Sequence, residues 1–291
     1  SPFAIRHSPF VIPPPMPPPT LGVLIRFSNS AATLPAVLAA LKKQTLQPGI
    51  ILGVNCGGTD ASSALIRAAG GWVTNWTRPY AHSAVLNFGL RLLHTDLVLV
   101  LSSHTVLESP DTLAQMVAAL HDPAVACVSL KWDDDPFYSD AVSWAELQAK
   151  GLRFGSFYSN SMGLLRRALW EDLPFDESLP TAEDYAWALA QLQQGRVCRR
   201  LLLPFSYRRS GTARDAEFAQ ITFRFARHYG LRVAWLGPFG SLKHLAHARL
   251  RRLFQGESHA NSSDSPITAV QDRLMAWWQH LTLRPSGETC R

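Results

Sequence analysis

Short apolar runs alternate with amphipathic stretches over most of the chain. Residues 21–27, 50–54, 72–75, 97–101 and 124–130 are rich in Leu, Val and Ile and read as strands. Between them, 32–44, 61–69, 82–93 and 110–120 carry apolar residues at helical spacing, with Leu34, Val37, Leu38 and Leu41 on one face of the first. Buried strands that alternate with helices of this length predict βαβ units, a mostly parallel sheet and helices on both faces. Right-handed crossovers then put the strand carboxyl ends on one edge, where ligands bind in open α/β sheets. After Lys131 the pattern loosens into an acidic, aromatic loop, Trp132 to Tyr138. Residues 196–203 read as a late strand, and 213–229, 240–252 and 268–281 as helices, with a linker over 255–266.

Composition narrows this picture. A chain of 291 residues, 47% of them hydrophobic, can bury the core of one large domain. The expected division is a proline-rich leader over 1–20, a domain over 21–239 and a helical extension over 240–291. The leader is too rich in proline for a helix, and lacks the charged-apolar-small order of a signal peptide. Its first residue is Ser, as expected of a processed, tagged or trimmed chain. No apolar run reaches the roughly 18 residues of a membrane span. Cys56, Cys127, Cys198 and Cys290 form no CxxC pair, which argues against zinc and a disulfide framework and fits a reducing cytoplasm. The net charge of +6 suits an anionic partner, and a nucleoside diphosphate, a membrane surface and nucleic acid all qualify.

The densest candidate chemistry lies between Ser159 and Gly195. A proline-bounded acidic loop, Pro174 to Pro180, leads into a helix that Thr181 is placed to cap, with Glu183 and Asp184 in its first turn. Acidic residues open many helices for stability alone. Here, however, they follow Ser159-Asn160, Arg166-Arg167, Trp170 and Phe175-Asp176-Glu177, and precede Trp187-Ala188 and Gly195. This order resembles the inverting GT-A glycosyltransferases of family 2, and the resemblance extends from about Leu21 to Gly230. It implies an α/β GT-A fold, with Asp184 as general base and Glu183 beside it. Tyr185, Trp187 and Asn160 are then candidates for the acceptor sugar, although core packing explains Trp187 equally well.

The strand ends carry the rest of the resemblance. Arg26 and Asn29, after the first strand, match the entry that contacts the nucleotide base; Ser28, Asn29 and Ser30 are also good helix caps. Asn55 and Gly57 sit in a loop resembling V-D-S-G-S-T-D-G-S, with Asn55 in place of the first Asp and Asp60 read as a helix cap. Ala84, Asn87 and Gly89 fit an A-x-N-x-G element, and Arg78 and His82 are candidate phosphate contacts or solvated surface residues. After the fourth strand, where relatives hold a divalent metal with a D-x-D carboxylate, this chain reads Ser102-Ser103-His104. Arg208 and Arg209 stand where many relatives have a late histidine, and would supply positive charge to a diphosphate.

The resemblance thus implies transfer of a sugar from a nucleotide-diphosphate donor to the hydroxyl of a glycan or lipid-linked acceptor. The layout looks most similar to bacterial rhamnosyltransferase-like members that build polysaccharides. With both donor-side aspartates replaced, the expectation is that no metal is required; Mn or Mg, with Asp133 to Asp135 as its candidate ligands, is the alternative. A degenerate relative that binds nucleotide-sugar or glycan as a scaffold is the rival reading. A nucleotidyltransferase is disfavoured because Arg26 to Thr33 lacks glycine, and nucleic acid because no aromatic residues interleave the basic cluster Lys243 to Arg252. That cluster fits an anionic membrane surface, a lipid-linked acceptor or a solvated helix face, so the protein is expected in the cytoplasm or at a membrane.

Overall fold

The computed structural model describes residues 18–132, 136–153, 157–208 and 215–234. The chain divides into units Ser1–Ser241 and Leu242–Arg291, and every described residue belongs to the first. The leader as far as residue 17, the acidic triplet 133–135, Arg209 and the helices expected beyond residue 240 therefore lie outside the described residues.

An eight-stranded sheet forms the centre. Its strands are β1 (Leu21–Phe27), β2 (Ile50–Asn55), β3 (Trp72–Asn75), β4 (Leu97–Ser102), β6 (Val125–Leu130), β7 (Ala141–Val142), β8 (Met162–Arg166) and β9 (Val197–Leu201). Their order is β3-β2-β1-β4-β8-β6-β9-β7. The pairings β1–β2, β2–β3, β1–β4 and β6–β9 are parallel, and β8 runs antiparallel between β4 and β6. β5 (Thr105–Leu107) and β10 (Phe205–Tyr207) make a separate antiparallel pair.

Helices cover both faces, as the apolar pattern predicts. Along β1, Val23, Ile25 and Phe27 pack with α1 (Leu34–Lys42), α2 (Ser62–Ala68) and α4 (Thr112–Ala119). The opposite side of the sheet, through Leu24, Val98 and Val100, packs with α3 (His82–Leu92) and α7 (Glu183–Gln193). The same core takes in side chains of α5 (Trp144–Lys150), α6 (Arg167–Asp172) and α8 (Asp215–His228). All six residues of β4 are buried, and each large apolar side chain so placed contributes about 1.5–3 kcal/mol. Gly89 lets α3 lie close on β1: a Cβ there would meet Leu24 Cδ1 at 2.4 Å.

Two features depart from the sequence pattern. The apolar run Met162 to Leu165 is a strand, hidden in the sequence because it is short and ends in Arg166-Arg167. Being antiparallel, β8 brings its amino end, and hence Asn160 and Ser161, to the edge formed by the carboxyl ends of β1 and β4. There the amide of Ser102 donates to Ser161 O (3.0 Å). Second, Thr181 does not cap α7. The capping position falls on Ala182, buried and held at φ 64° with no side-chain cap. A non-glycine residue in that region stores roughly 1–2 kcal/mol of strain, and it stands immediately before Glu183 and Asp184. The first helix likewise starts at Thr33 rather than at Ser28–Ser30, without a side-chain cap.

Candidate active site

The topological switch point lies where the crossovers from β1 and β3 leave on opposite faces, between the carboxyl ends of β1 and β4. Arg26, in register with Ser102 and Val54, stands at its centre. Its Nη1 is 2.8 Å from His82 Nε2, at the start of α3. His82 Nδ1 in turn lies 3.3 Å from Glu183 Oε1, at the start of α7. Asn160 joins the two carboxylates: its Nδ2 donates to Glu183 Oε1 (3.2 Å) and its backbone amide to Asp184 Oδ2 (2.9 Å). The amide of Tyr185 donates to Asp184 Oδ1 (2.7 Å).

This network sets the charges. Burial raises Glu183, but His82 and the hydrogen bond from Asn160 outweigh it, so the carboxyl stays below the usual glutamate range. Asp184 goes the other way. Burial, and next the charge of Glu183, push it up to about 7 against the two amides that favour its ionised form. Burial lowers Arg26 from its ordinary value, while Glu183, Cys56, Tyr207 and Asp184 hold it up. Two adjacent carboxylates are thereby separated into an anion and a group that titrates near neutrality.

The donor-side residues gather on the same edge. Asn29, at φ 47°, accepts from the amides of Thr59 and Asp60, and so ties the loop after β1 to the loop after β2. Asn55 is engaged at both ends with Gly58, accepting from its amide (2.8 Å) and donating to its carbonyl (2.9 Å). Gly57 takes φ 89°, and a Cβ on Gly58 would lie 2.5 Å from the amide nitrogen of Asn29. Asp60 accepts from the amides of Ser62 and Ala31, as a helix-start residue should. Ser103 shares a hydrogen bond with Ser30 (2.9 Å) and is buried with Ser102. His104 is half-buried against Tyr207, and is held below the usual histidine range by burial and then by Arg26. The β5–β10 pair delivers Arg208, whose amide donates to His104 O (3.1 Å). Arg78 is exposed over the Trp76 ring in the loop before α3.

Tyr185 and Trp187 are corrected as acceptor contacts. Both are buried: Tyr185 stacks on Phe157 and donates to Arg153 O, and Trp187 packs on Tyr158 and Phe175 and donates to Leu173 O. Asn160, half-buried, is engaged with both carboxylates. Asn87 pins the acidic loop through Phe175, Glu177 and Trp170. The meeting of Arg26, His82 and Glu183 had no sequence signal beyond the histidine itself, since the three are far apart in the chain. Cys127 and Cys198 also meet, with sulfurs 3.3 Å apart on neighbouring strands, and both are free thiols.

A parallel-centred sheet with carboxylates and an arginine at its switch point fits a GT-A glycosyltransferase. Residues 23–172, just over half of the chain, match the model of Glycosyl transferase family 2, and the chain belongs to that family. It is 26% identical over 194 residues to the O-antigen chain rhamnosyltransferase RfbN of Salmonella typhimurium (strain LT2), covering 60% of this chain and 62% of that relative. The chain thus spans less than two thirds of that relative's length. The mannosyltransferase PcManGT from Pyrobaculum calidifontis, in complex with GDP-Man and Mn2+, superposes with a TM-score of 0.57 at 19% identity, over 94% of this chain and 86% of its own. Glucosyl-3-phosphoglycerate synthase from Mycobacterium tuberculosis, solved with Mn2+ and UDP, gives 0.57 at 16% identity, over 75% and 83%. These structures establish the fold.

They also correct the expectation that no metal is required, because both carry Mn2+. In this chain the end of β4 offers one imidazole and two buried hydroxyls, a donor set that does not suit a hard divalent cation. Among the described residues no three His, Cys, Asp or Glu side chains form a metal-holding group. Among the described residues, too, no helix is long and apolar enough to cross a membrane.

Proposed function

We propose that the protein transfers a sugar from a nucleoside-diphosphate donor to an acceptor hydroxyl with inversion, and that Asp184 is the general base. The observation that carries this reading is a carboxylate held by two backbone amides, beside a second anion, with its pKa moved to about 7. A base is most effective when its pKa lies near the working pH. The acceptor oxygen attacks the anomeric carbon, Asp184 takes its proton, and the bond to the diphosphate breaks. Arg26 and Arg208 lend positive charge at the donor end of the crevice, with His104 as a neutral hydrogen-bonding partner for phosphate. The nucleotide fits over the paired loops that Asn29, Asn55 and Gly57 shape, with Arg78 at their margin.

The likeness to an O-antigen rhamnosyltransferase favours a growing glycan, free or lipid-linked, as acceptor. The domain would run over 21–239, and the basic residues 243–252 beyond it would meet an anionic membrane surface. Incubation with dTDP-, GDP- and UDP-sugars, with Mn2+ present because solved relatives carry it, tests the reading through the anomeric configuration of the product. A product with the opposite configuration to the donor is expected. Retained configuration, or binding without turnover on any glycan acceptor, overturns it, and the latter outcome favours a scaffold.

A further inference from the structure

The hydrogen bond between Arg26 and His82 has a direction fixed by chemistry. Arginine has five donors and no acceptor, so the 2.8 Å contact between Arg26 Nη1 and His82 Nε2 must run from arginine to histidine. Nε2 is then the unprotonated nitrogen, and the ring is neutral with its one proton on Nδ1. Nδ1 is buried, makes no hydrogen bond of good geometry among the described residues, and lies 3.3 Å from Glu183 Oε1, close enough for a polar contact. The ring edge is packed against Tyr80, with centroids 5.7 Å apart, so its plane is held.

We propose that His82 is a positioning residue: locked as the Nδ1–H imidazole, it spaces Arg26 from Glu183 and keeps Glu183 anionic beside Asp184. Direct contact of Arg26 with Glu183 would pair the two charges and screen Asp184 from the carboxylate, whereas a neutral imidazole between them leaves the charge of Glu183 facing Asp184. The groups facing this pair come from every side. They are Arg26 on β1, Glu183 and Asp184 on α7, Asn160 before β8, Cys56 after β2, His104 at the end of β4 and Tyr207 on β10. Of these, Arg26 and the two carboxylates carry the charge that His82 organises. The lock is a property of the fold; its consequence for turnover rests on Asp184 being the base.

Two-bond 1H–15N correlation spectra of the full chain at pH 8 read the tautomer directly, with His82→Gln used to assign the ring. The expected signal is a pyrrole-type Nδ1 and a pyridine-type Nε2, the tautomer that free imidazole side chains disfavour in water. A pyrrole-type Nε2, or a doubly protonated ring, overturns the proposal whatever the transfer assay gives. For the catalytic consequence, kcat/KM is followed against pH. In His82→Phe, Glu183 loses its partner and takes up a proton more readily, so Asp184 faces less negative charge. The acidic limb should move to lower pH by on the order of one unit. His82→Gln, whose amide oxygen can accept from Arg26 and whose NH2 can donate to Glu183, should restore the wild-type limb. A limb that stays in place in His82→Phe overturns the positioning role. A wild-type chain without transfer sinks the proposed function, while the spectra still decide the lock.

Discussion

Asp184→Asn should make the protein more stable at pH 8 while removing the proposed chemistry. The carboxyl titrates near 7 in the fold against an ordinary 3.8. A folded-state pKa above the unfolded one means that the native protein holds an extra proton between those values. The group therefore favours the fold at low pH and opposes it increasingly as pH rises towards and through 7. A difference of about three units corresponds to about 4 kcal/mol of destabilisation once Asp184 is ionised. Asparagine removes the buried charge, but offers one carbonyl oxygen where the carboxylate presents two oxygens to the amides of Asn160 and Tyr185. One unpaired amide takes back about 1–2 kcal/mol. The net gain is then about 2–3 kcal/mol, or roughly 5–10 °C in Tm for a domain of this size. Thermal melts of both proteins at pH 5 and pH 8 measure it. The gain should appear at pH 8 and vanish or reverse at pH 5, where wild-type Asp184 is protonated and neutral. Equal stability at pH 8, or a gain confined to pH 5, would refute the reasoning.

Three further substitutions probe the surroundings. Glu183→Gln removes the neighbouring anion but not the burial, so the acidic limb of kcat/KM should fall by about one pH unit, and a rise would contradict the charge assignment. Asn87→Ala strands Trp170 Nε1, the backbone of Phe175 and Glu177, and should cost about 2–4 kcal/mol in urea unfolding. Gly58→Ala drives a Cβ onto the amide of Asn29, so donor affinity in calorimetry should fall roughly tenfold or more as the two loops part.

Much of the fold was legible because its strands are nearly pure apolar runs. β4, Leu97–Ser102, cannot be placed anywhere but inside a sheet covered on both faces. The antiparallel β8 was not, since a five-residue strand flanked by polar residues carries no periodicity of its own. Tyr185 and Trp187 look like sugar platforms in one dimension, with core packing an equal reading of Trp187, and both are core in three. Thr181 looked like a cap because capping propensity is local, whereas the bend at Ala182 is imposed by packing around it. His82 reads as a surface or phosphate-binding histidine until the fold brings Arg26 to it from 56 positions away. The metal question shows the reverse limit, since the same three residues after β4 that pointed away from a metal stand in a fold of which two solved members carry Mn2+.

The most direct test of the central claim is single-turnover transfer by Asp184→Asn at saturating donor and acceptor, with the donor Kd measured alongside. A general base removed in this way should lower the transfer rate about a hundredfold to ten-thousandfold while the donor Kd stays within about threefold. Transfer at close to the wild-type rate would take the proton-accepting role away from Asp184.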